Sequence, residues 1–309
     1  GSTNGWIPNS DIANALTPVA PVIQRAIFGF GDPNASGRTG VTNLVNSSGV
    51  IAADVSAVGT ARNSLAAASY GGDKAIFAYG TTGSNTNIKN LVNNSGVVQS
   101  DATGVGTARQ AIAAASYGGD KAIFGFGEAG SGNSGVTNLV NSSGVVGTDV
   151  SAVGTARFAL AAASYGGDKA AFAYGGDFSN TKNLVNNSGV VGSDVSGVGT
   201  ARRFLAGAGY GGDKGIFGFG YNNNYLATTN LMGNNGVIAS DVSGVGTIRG
   251  SLAATSYGGD KAVFAYGGDN SGQVSLKNLV NSSGVVAANV TGVGTARAGT
   301  AAAGYSYSA

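Results

Sequence analysis

Side chains able to do chemistry are few in this sequence of 309 residues, which contains no His and no Cys. Imidazole acid–base catalysis, thiol nucleophiles, disulfides and Cys/His metal sites are therefore excluded together. Carboxylates, hydroxyls and Lys amines remain. Paired carboxylates could act on a glycoside, and of the five acids outside regularly repeated positions Asp11 lies near the N-terminus and the candidates are Asp32, Glu128, Asp177 and Asp269. They fall in four different segments, so spacing alone pairs no two of them. Residues 125–130 read Gly-Phe-Gly-Glu-Ala-Gly, the form of a phosphate-binding loop. That loop works at the N-terminus of a helix, whereas here it closes a strand and runs into a hairpin. Ser193–Gly197 carries its Asp one position too early for a sialidase Asp-box. Asn46, Asn93, Asn141, Asn186, Asn281 and Asn289 begin formal glycosylation sequons. Most occupy turn positions, where Asn and Ser are favoured on conformational grounds. The expectation is a chain with no catalytic residue, no metal and no cofactor.

Charge leads the same way. Seventeen Lys and Arg against fifteen Asp and Glu leave a net charge of +2, and Arg202-Arg203 is the only adjacent basic pair. That is no electrostatic footprint for nucleic acid. No apolar run approaches the ~20 residues that a membrane-spanning helix needs. With 42% apolar and 10% charged residues the chain can still bury a sizeable core.

The elements that must position any site repeat six times. An Arg closing a Gly-Thr-Ala-Arg segment recurs at Arg62, Arg109, Arg157, Arg202, Arg249 (with Ile248 in place of Ala) and Arg297, with gaps of 47, 48, 45, 47 and 48 residues. A Tyr-Gly-Gly-Asp-Lys turn recurs at Lys74, Lys121, Lys169, Lys214 and Lys261. Each unit predicts four short strands, at 65–70, 74–79, 88–92 and 97–101 in the second unit. Gly-Gly-Asp and Asn-Asn-Ser-Gly supply the tight turns, because Gly and Asn tolerate positive φ. No stretch carries a helical period. Four strands per 45–48 residues predict an all-β six-bladed propeller over residues 22–309, with four antiparallel strands per blade. Small Ala, Ser and Gly side chains suit the innermost strand. The chain enters at Arg25–Phe28 on a second strand and leaves at Ala301–Tyr305 on a first strand. A C-terminal inner strand is therefore expected to pair with the N-terminal strand and close the ring. All four Pro lie in the first 33 residues. Residues 1–21 read as a leader or linker opening on a cloning scar, Gly1-Ser2, with Ser10 capping a helical turn and a larger parent protein tethered at the N-terminus.

The repeated Arg, the small-residue inner strand, the Lys-Ala-Ile-Phe-Ala-Tyr-Gly of residues 74–80 and the period near 47 resemble kelch repeats. The resemblance covers residues 22–309. The family's double Gly stands at Gly175-Gly176 and Gly267-Gly268, and its late Trp is absent, since Trp6 is the only Trp. Kelch-type oxidases hold copper with His and Cys, which this chain lacks. The wording of the repeats also resembles phage-encoded, tail-fibre-type kelch-like arrays. That resemblance implies a host surface glycan or protein as partner.

Comparison of the six copies locates the variation. One variable place is the loop after the second strand (32–40, 81–87, 128–135, 176–180, 221–228 and 268–275). The other is the residue after each repeated Arg. Antiparallel geometry puts both on one face. The ligand-binding candidates there are the aromatics Phe158, Phe178, Tyr221 and Tyr225, with Arg38, Asn63, Gln110, Arg203 and Gln273 as hydrogen-bonding groups. The expected function is a non-catalytic recognition module. The alternatives are a structural building block of a virus particle or filament, and a glycoside-acting enzyme. A finer pattern alternates along the repeats: Phe30, Tyr79, Phe126, Tyr174, Phe219 and Tyr266 run in step with Thr42, Lys89, Thr137, Lys182, Thr229 and Lys277. A Lys stem lying along a Tyr ring in a cross-strand pair would explain it, and it implies pseudo-threefold symmetry.

Overall fold

The computed structural model describes residues 23–33, 37–151 and 153–307. The leader, with Trp6 and the Ser10 cap, lies outside the described residues. Every regular element among the described residues is a β-strand, and no helix is long and apolar enough to cross a membrane.

Each repeat forms one antiparallel three-stranded sheet. In the second unit the strands are Ala66–Tyr70, Lys74–Ala78 and Lys89–Val92, in register through Ala67↔Phe77 and Phe77↔Asn90. The middle strand is apolar on both faces because neighbouring sheets cover both. The first turn works because Gly71 and Gly72 hold φ of 63° and 78°, where a side chain would be strained. One sheet joins the two ends of the chain, as expected. Ala301–Tyr307 pairs with Ile23–Gly31 from Ile23↔Tyr307 to Gly29↔Ala301, and Ile23–Gly31 pairs in turn with Thr39–Val45.

The sheets meet through their first strands. Ala66–Tyr70 adjoins Ala113–Tyr117, and contacts pass through Ala161–Tyr165, Ala206–Tyr210 and Ala253–Tyr257 to Ala301–Tyr307, which adjoins Ala66–Tyr70 again. Backbone hydrogen bonds follow the same cycle. The amide of Ser64 donates to Gly299, Ala111 to Ser64, Ala159 to Ala111, Phe204 to Ala159, Ser251 to Phe204 and Gly299 to Ser251, all at 2.8–2.9 Å. All six residues have φ between 48° and 62°. Five are not Gly, a backbone cost of about 1–3 kcal/mol each that is offset by a bond given and a bond received. At the other end of the first strands a second cycle runs from Gly71 to the Asp120 carbonyl and returns from Ser306 to Asp73. The core is divided into layers between consecutive sheets. One layer packs Tyr70 and Ile76 of one sheet against Phe124 and Val140 of the next.

Three expectations change. The fourth strand is not a strand. It touches the third only through isolated bridges, Val92↔Val98 and Lys89↔Ala102 in the second unit. Between them the buried Asn90 carboxamide donates to Gln99 O at 3.0 Å and Asp101 Oδ1 at 2.9 Å, so a side chain occupies the place of the backbone ladder. In the second, third and sixth units the second strand ends before its aromatic residue, whereas Ile23–Gly31, Lys169–Gly175 and Lys214–Asn222 run on through Phe30, Tyr174 and Phe219 with a register shift there. Tyr79 turns left-handed at φ 64°, and Gly80 donates to the Arg109 carbonyl of the next repeat at 2.9 Å. Finally, Lys89 stands opposite Ala78 rather than Tyr79, and its ammonium donates to Gly144 O of the next repeat at 3.1 Å. Tyr79 lies beneath the Arg109 guanidinium, 4.9 Å from its ring centre, and its hydroxyl donates to Val105 O at 3.1 Å. In the Phe copies a Gly replaces the Ala. A Cβ at Gly29 would stand 3.0 Å from Phe77 Cζ and 3.1 Å from Thr42 Cγ2. The alternation therefore records two ways of filling the space between sheets.

Candidate functional site

The repeated Arg side chains are the floor beneath the variable positions. Arg62 is fully buried. Its Nε donates to Tyr79 O at 3.0 Å, Nη1 to Thr60 O at 3.2 Å and Nη2 to Asn90 Oδ1 at 2.7 Å. Its guanidinium lies 4.2 Å over the Phe30 ring of the preceding repeat, and Asp101 Oδ1 is 3.9 Å from Nη1. Burial lowers the Arg62 pKa to about 10, against the attraction of Asp101, so the group keeps its charge at neutral pH. Burial would raise the Asp101 pKa. The Thr60 hydroxyl, the Asn90 carboxamide, the Thr60 amide and Arg62 outweigh it, and the net shift is downward. A charge held on every side by protein groups is structural. The turn pairs, such as Lys74–Asp73 at 2.7 Å with the lysine 41% exposed, contribute at most about 1 kcal/mol each.

Above this floor the two variable places lie side by side. Isolated bridges join Asn63 to Thr81, Gln110 to Glu128, Arg203 to Tyr221 and Gly250 to Gly268, and Gly176 N donates to Phe158 O at 2.7 Å. The residue after each Arg is thereby fixed against the start of the loop in its own repeat.

Five of the nine candidates converge. The Arg203 guanidinium carbon lies 5.6 Å from the Phe158 ring centre, 5.0 Å from Phe178 and 5.3 Å from Phe204. Phe178 meets Tyr221 at 6.2 Å between ring centres, and Tyr221 meets Tyr225 edge-on at 5.4 Å. All six side chains are partly exposed. Arg203 Nε has no hydrogen-bond partner, while Nη1 stands 3.9 Å from Asp177, which is 92% exposed. Tyr225 overlies Gly250, where an added Cβ would come within 3.1 Å of the ring.

The other four candidates stand apart from this patch. Asn63 donates to Asp32 Oδ2 at 3.4 Å, and Gln110 to Glu128 Oε2 at 3.2 Å. Arg38 is exposed and lies near Gly83 of the following repeat. Gln273 sits in the small hairpin Gly268–Asp269/Gly272–Gln273. The four acids weighed for glycoside chemistry go to separate partners: Asp32 to Asn63, Glu128 to Gln110, Asp177 to Arg203 and Asp269 to the Ser271 amide. Among the described residues no three acidic side chains gather as metal ligands.

Sequence reasoning missed Phe204. Its signal was present, since the equivalent positions are Ser64, Ala111, Ala159, Ser251 and Gly299, all small. Asp177 was weighed only as an acid, although it flanks Arg203. No family model matches the chain, and no curated protein is similar to it.

Proposed function

We propose that the six sheets are the blades of a closed kelch-like propeller, and that the chain is a non-catalytic recognition module. Its variable face would contact a surface ligand, a glycan or a protein. The observation that carries this reading is the convergence of Phe158, Phe178, Arg203, Tyr221 and Tyr225 from two neighbouring repeats on one partly exposed patch. Aromatic rings and Arg dominate binding energetics at such patches, because they bring much rigid contact area at low entropic cost. The unbroken cycle of first-strand contacts and the pairing of the chain ends support the closed ring. The resemblance to phage-encoded tail-fibre-type arrays supports a host surface ligand and a larger parent protein on the N-terminal side.

The test is a screen of the chain against a broad panel of glycans and surface proteins, with Arg203→Ala/Tyr225→Ala alongside. One hot-spot truncation at about 2 kcal/mol reduces affinity by about 30-fold, and the two together, if additive, by about 1,000-fold. The melting temperature changes little, because neither side chain is part of the buried Arg floor. An equal loss on replacing the exposed Lys121 and Lys169, at the opposite ends of the first strands, would refute the one-face reading.

A further inference from the structure

Arg203 differs from the buried arginines beneath it, because its donors are unanswered. A guanidinium carries five N–H groups, and the neighbouring Arg202 spends its own on Phe219 O, Thr200 O and Asn230 Oδ1. Among the described residues no side-chain nitrogen of Arg203 makes a hydrogen bond. Its Nε is buried, whereas Nη1 and Nη2 keep accessible surface on a side chain that is 27% exposed. Three rings hold the group in place: Phe158 and Phe178 of the preceding repeat at 5.6 and 5.0 Å, and Phe204 at 5.3 Å. Contact with aromatic rings fixes a planar guanidinium without using its donors. The opposite charge in the patch is Asp177, whose Oδ1 is 3.9 Å from Nη1 and whose side chain is 92% exposed. That distance is too long for a hydrogen bond, and so exposed an ion pair contributes little.

Charge and shape restrict the ligand. A buried Nε leaves only the terminal nitrogens, so an oxyanion must approach end-on and accept from Nη1 and Nη2 together. One exposed cation with Asp177 beside it matches a single negative charge and leaves a dianionic phosphate monoester uncompensated. Backbone groups next to Arg203 are already spent. Its amide donates to Tyr221 O at 3.1 Å, and the Tyr221 amide donates to Arg203 O at 2.8 Å. An acidic peptide therefore finds no open strand edge there. Tyr221 and Tyr225, edge-on at 5.4 Å, instead offer partly exposed rings whose hydroxyls make no hydrogen bond among the described residues. A pyranose presents C–H faces to such rings and hydroxyls to such phenols. Resting on the recognition reading above, we infer that the patch binds an acidic sugar. Its carboxylate is held end-on by Nη1 and Nη2 of Arg203, and its pyranose ring lies on Tyr221 and Tyr225. Asp177 is then a tethered carboxylate that the ligand displaces.

The experiment titrates the chain by calorimetry with trigalacturonate, a hyaluronan tetrasaccharide and sialyllactose, and with the methyl ester of each. The ester keeps the sugar and removes the charge. At least one acid binds, about tenfold or more tightly than its ester, as charge-assisted hydrogen bonds to one group predict. Asp177→Asn, at a side chain 92% exposed, leaves the melting temperature unchanged. It tightens binding of the acid by about threefold to fivefold, the worth of a weak exposed pair, and leaves the ester unmoved. Arg203→Lys keeps the charge without the planar fork and weakens the acid at least about fivefold. No binding by any of the acids, equal binding of acid and ester, or an acid indifferent to either substitution would overturn the inference. If the only ligand lost in Arg203→Ala/Tyr225→Ala is a neutral glycan or a protein, the acidic-sugar assignment falls and the recognition reading stands.

Discussion

Arg249 is buried like the other repeated arginines, yet its repeat carries Asn289 where the others carry Asp54, Asp101, Asp149, Asp194 and Asp241. Asn289 copies part of the arrangement. Its Oδ1 accepts from Thr247 N at 3.2 Å and Asn278 Nδ2 at 3.0 Å, while its Nδ2 donates to Thr247 Oγ1 at 2.7 Å. Asn289→Asp would restore the charge. The equivalent Arg109–Asp149 pair is 3.7 Å apart with the carboxylate 32% exposed. At that distance and an effective dielectric near 20 the gross attraction is about 4–5 kcal/mol. Water screens a group so exposed, and desolvation opposes the remainder, leaving a net gain of about 1–2 kcal/mol. Unfolding entropy of ~2.1 cal/mol/K per residue gives about 0.65 kcal/mol/K for this chain. The melting temperature at pH 7 therefore rises by about 1.5–3 °C. Asp149, the equivalent acid, has its pKa lowered below 3.8, with hydrogen bonds from Thr107 and Asn138 outweighing burial. For a depressed pKa the stabilisation is present above the unfolded value and lost as pH falls through the folded one. The gain should thus hold from neutral pH to about pH 4 and shrink toward zero below it. Calorimetry of both proteins from pH 7 to pH 2 measures this. No gain at pH 7, or a gain that does not change with pH, would refute the reasoning.

Two further outcomes follow from the same charges. With no His in the chain, no side chain of ordinary pKa titrates between pH 5 and 8, so the melting temperature is flat across that range. It falls only below about pH 4, where Asp54, Asp101, Asp149, Asp194 and Asp241, all with lowered pKa, take up protons; a step near pH 6 would contradict this. Arg297 joins the two ends of the chain through Phe30 O at 2.8 Å and Asn43 Oδ1 at 2.6 Å, whereas Arg62 makes the same bonds within one continuous repeat. Arg297→Met and Arg62→Met each cost about 3 kcal/mol or more, the lower end for a broken buried pair. The first accelerates unfolding more, because its sheet is the one without a covalent connection between first and second strands. Stopped-flow unfolding in denaturant compares them, and equal acceleration would count against the ends as the place where opening starts.

Much of the local structure was legible from residue types. Gly71-Gly72 announced a turn that only Gly could make comfortably, and the apolar run after Lys74 announced a strand covered on both faces. The phase of the first and last segments foretold the pairing of Ala301–Tyr307 with Ile23–Gly31. The failures have one kind of cause. The predicted fourth strand was displaced by the Asn90 side chain, and Tyr79 left its strand to meet Arg109. Lys89 reached the next repeat rather than the neighbouring strand. In each case a side chain competed with the backbone, or a contact crossed between sheets, and neither leaves a period in the sequence. The candidate site divides in the same way. Variation among copies marked Phe158, Phe178, Arg203, Tyr221 and Tyr225, but it marked Arg38, Asn63, Gln110 and Gln273 equally.

The sequence by itself determined the number of repeats, the order and direction of their strands, the turns and the completion of the last sheet by the first strand. These depend on neighbours along the chain, on φ restrictions and on alternating exposure. Only the tertiary structure decided which charges are buried against which acids, which variable residues share one patch and where a guanidinium without hydrogen bonds lies. Those depend on packing between sheets, where Arg62 meets Phe30 of the preceding repeat and Phe204 meets Phe158 of the preceding repeat. Side chains from different sheets are brought to contact by the sum of all the interfaces, and no local stretch of residues specifies that sum.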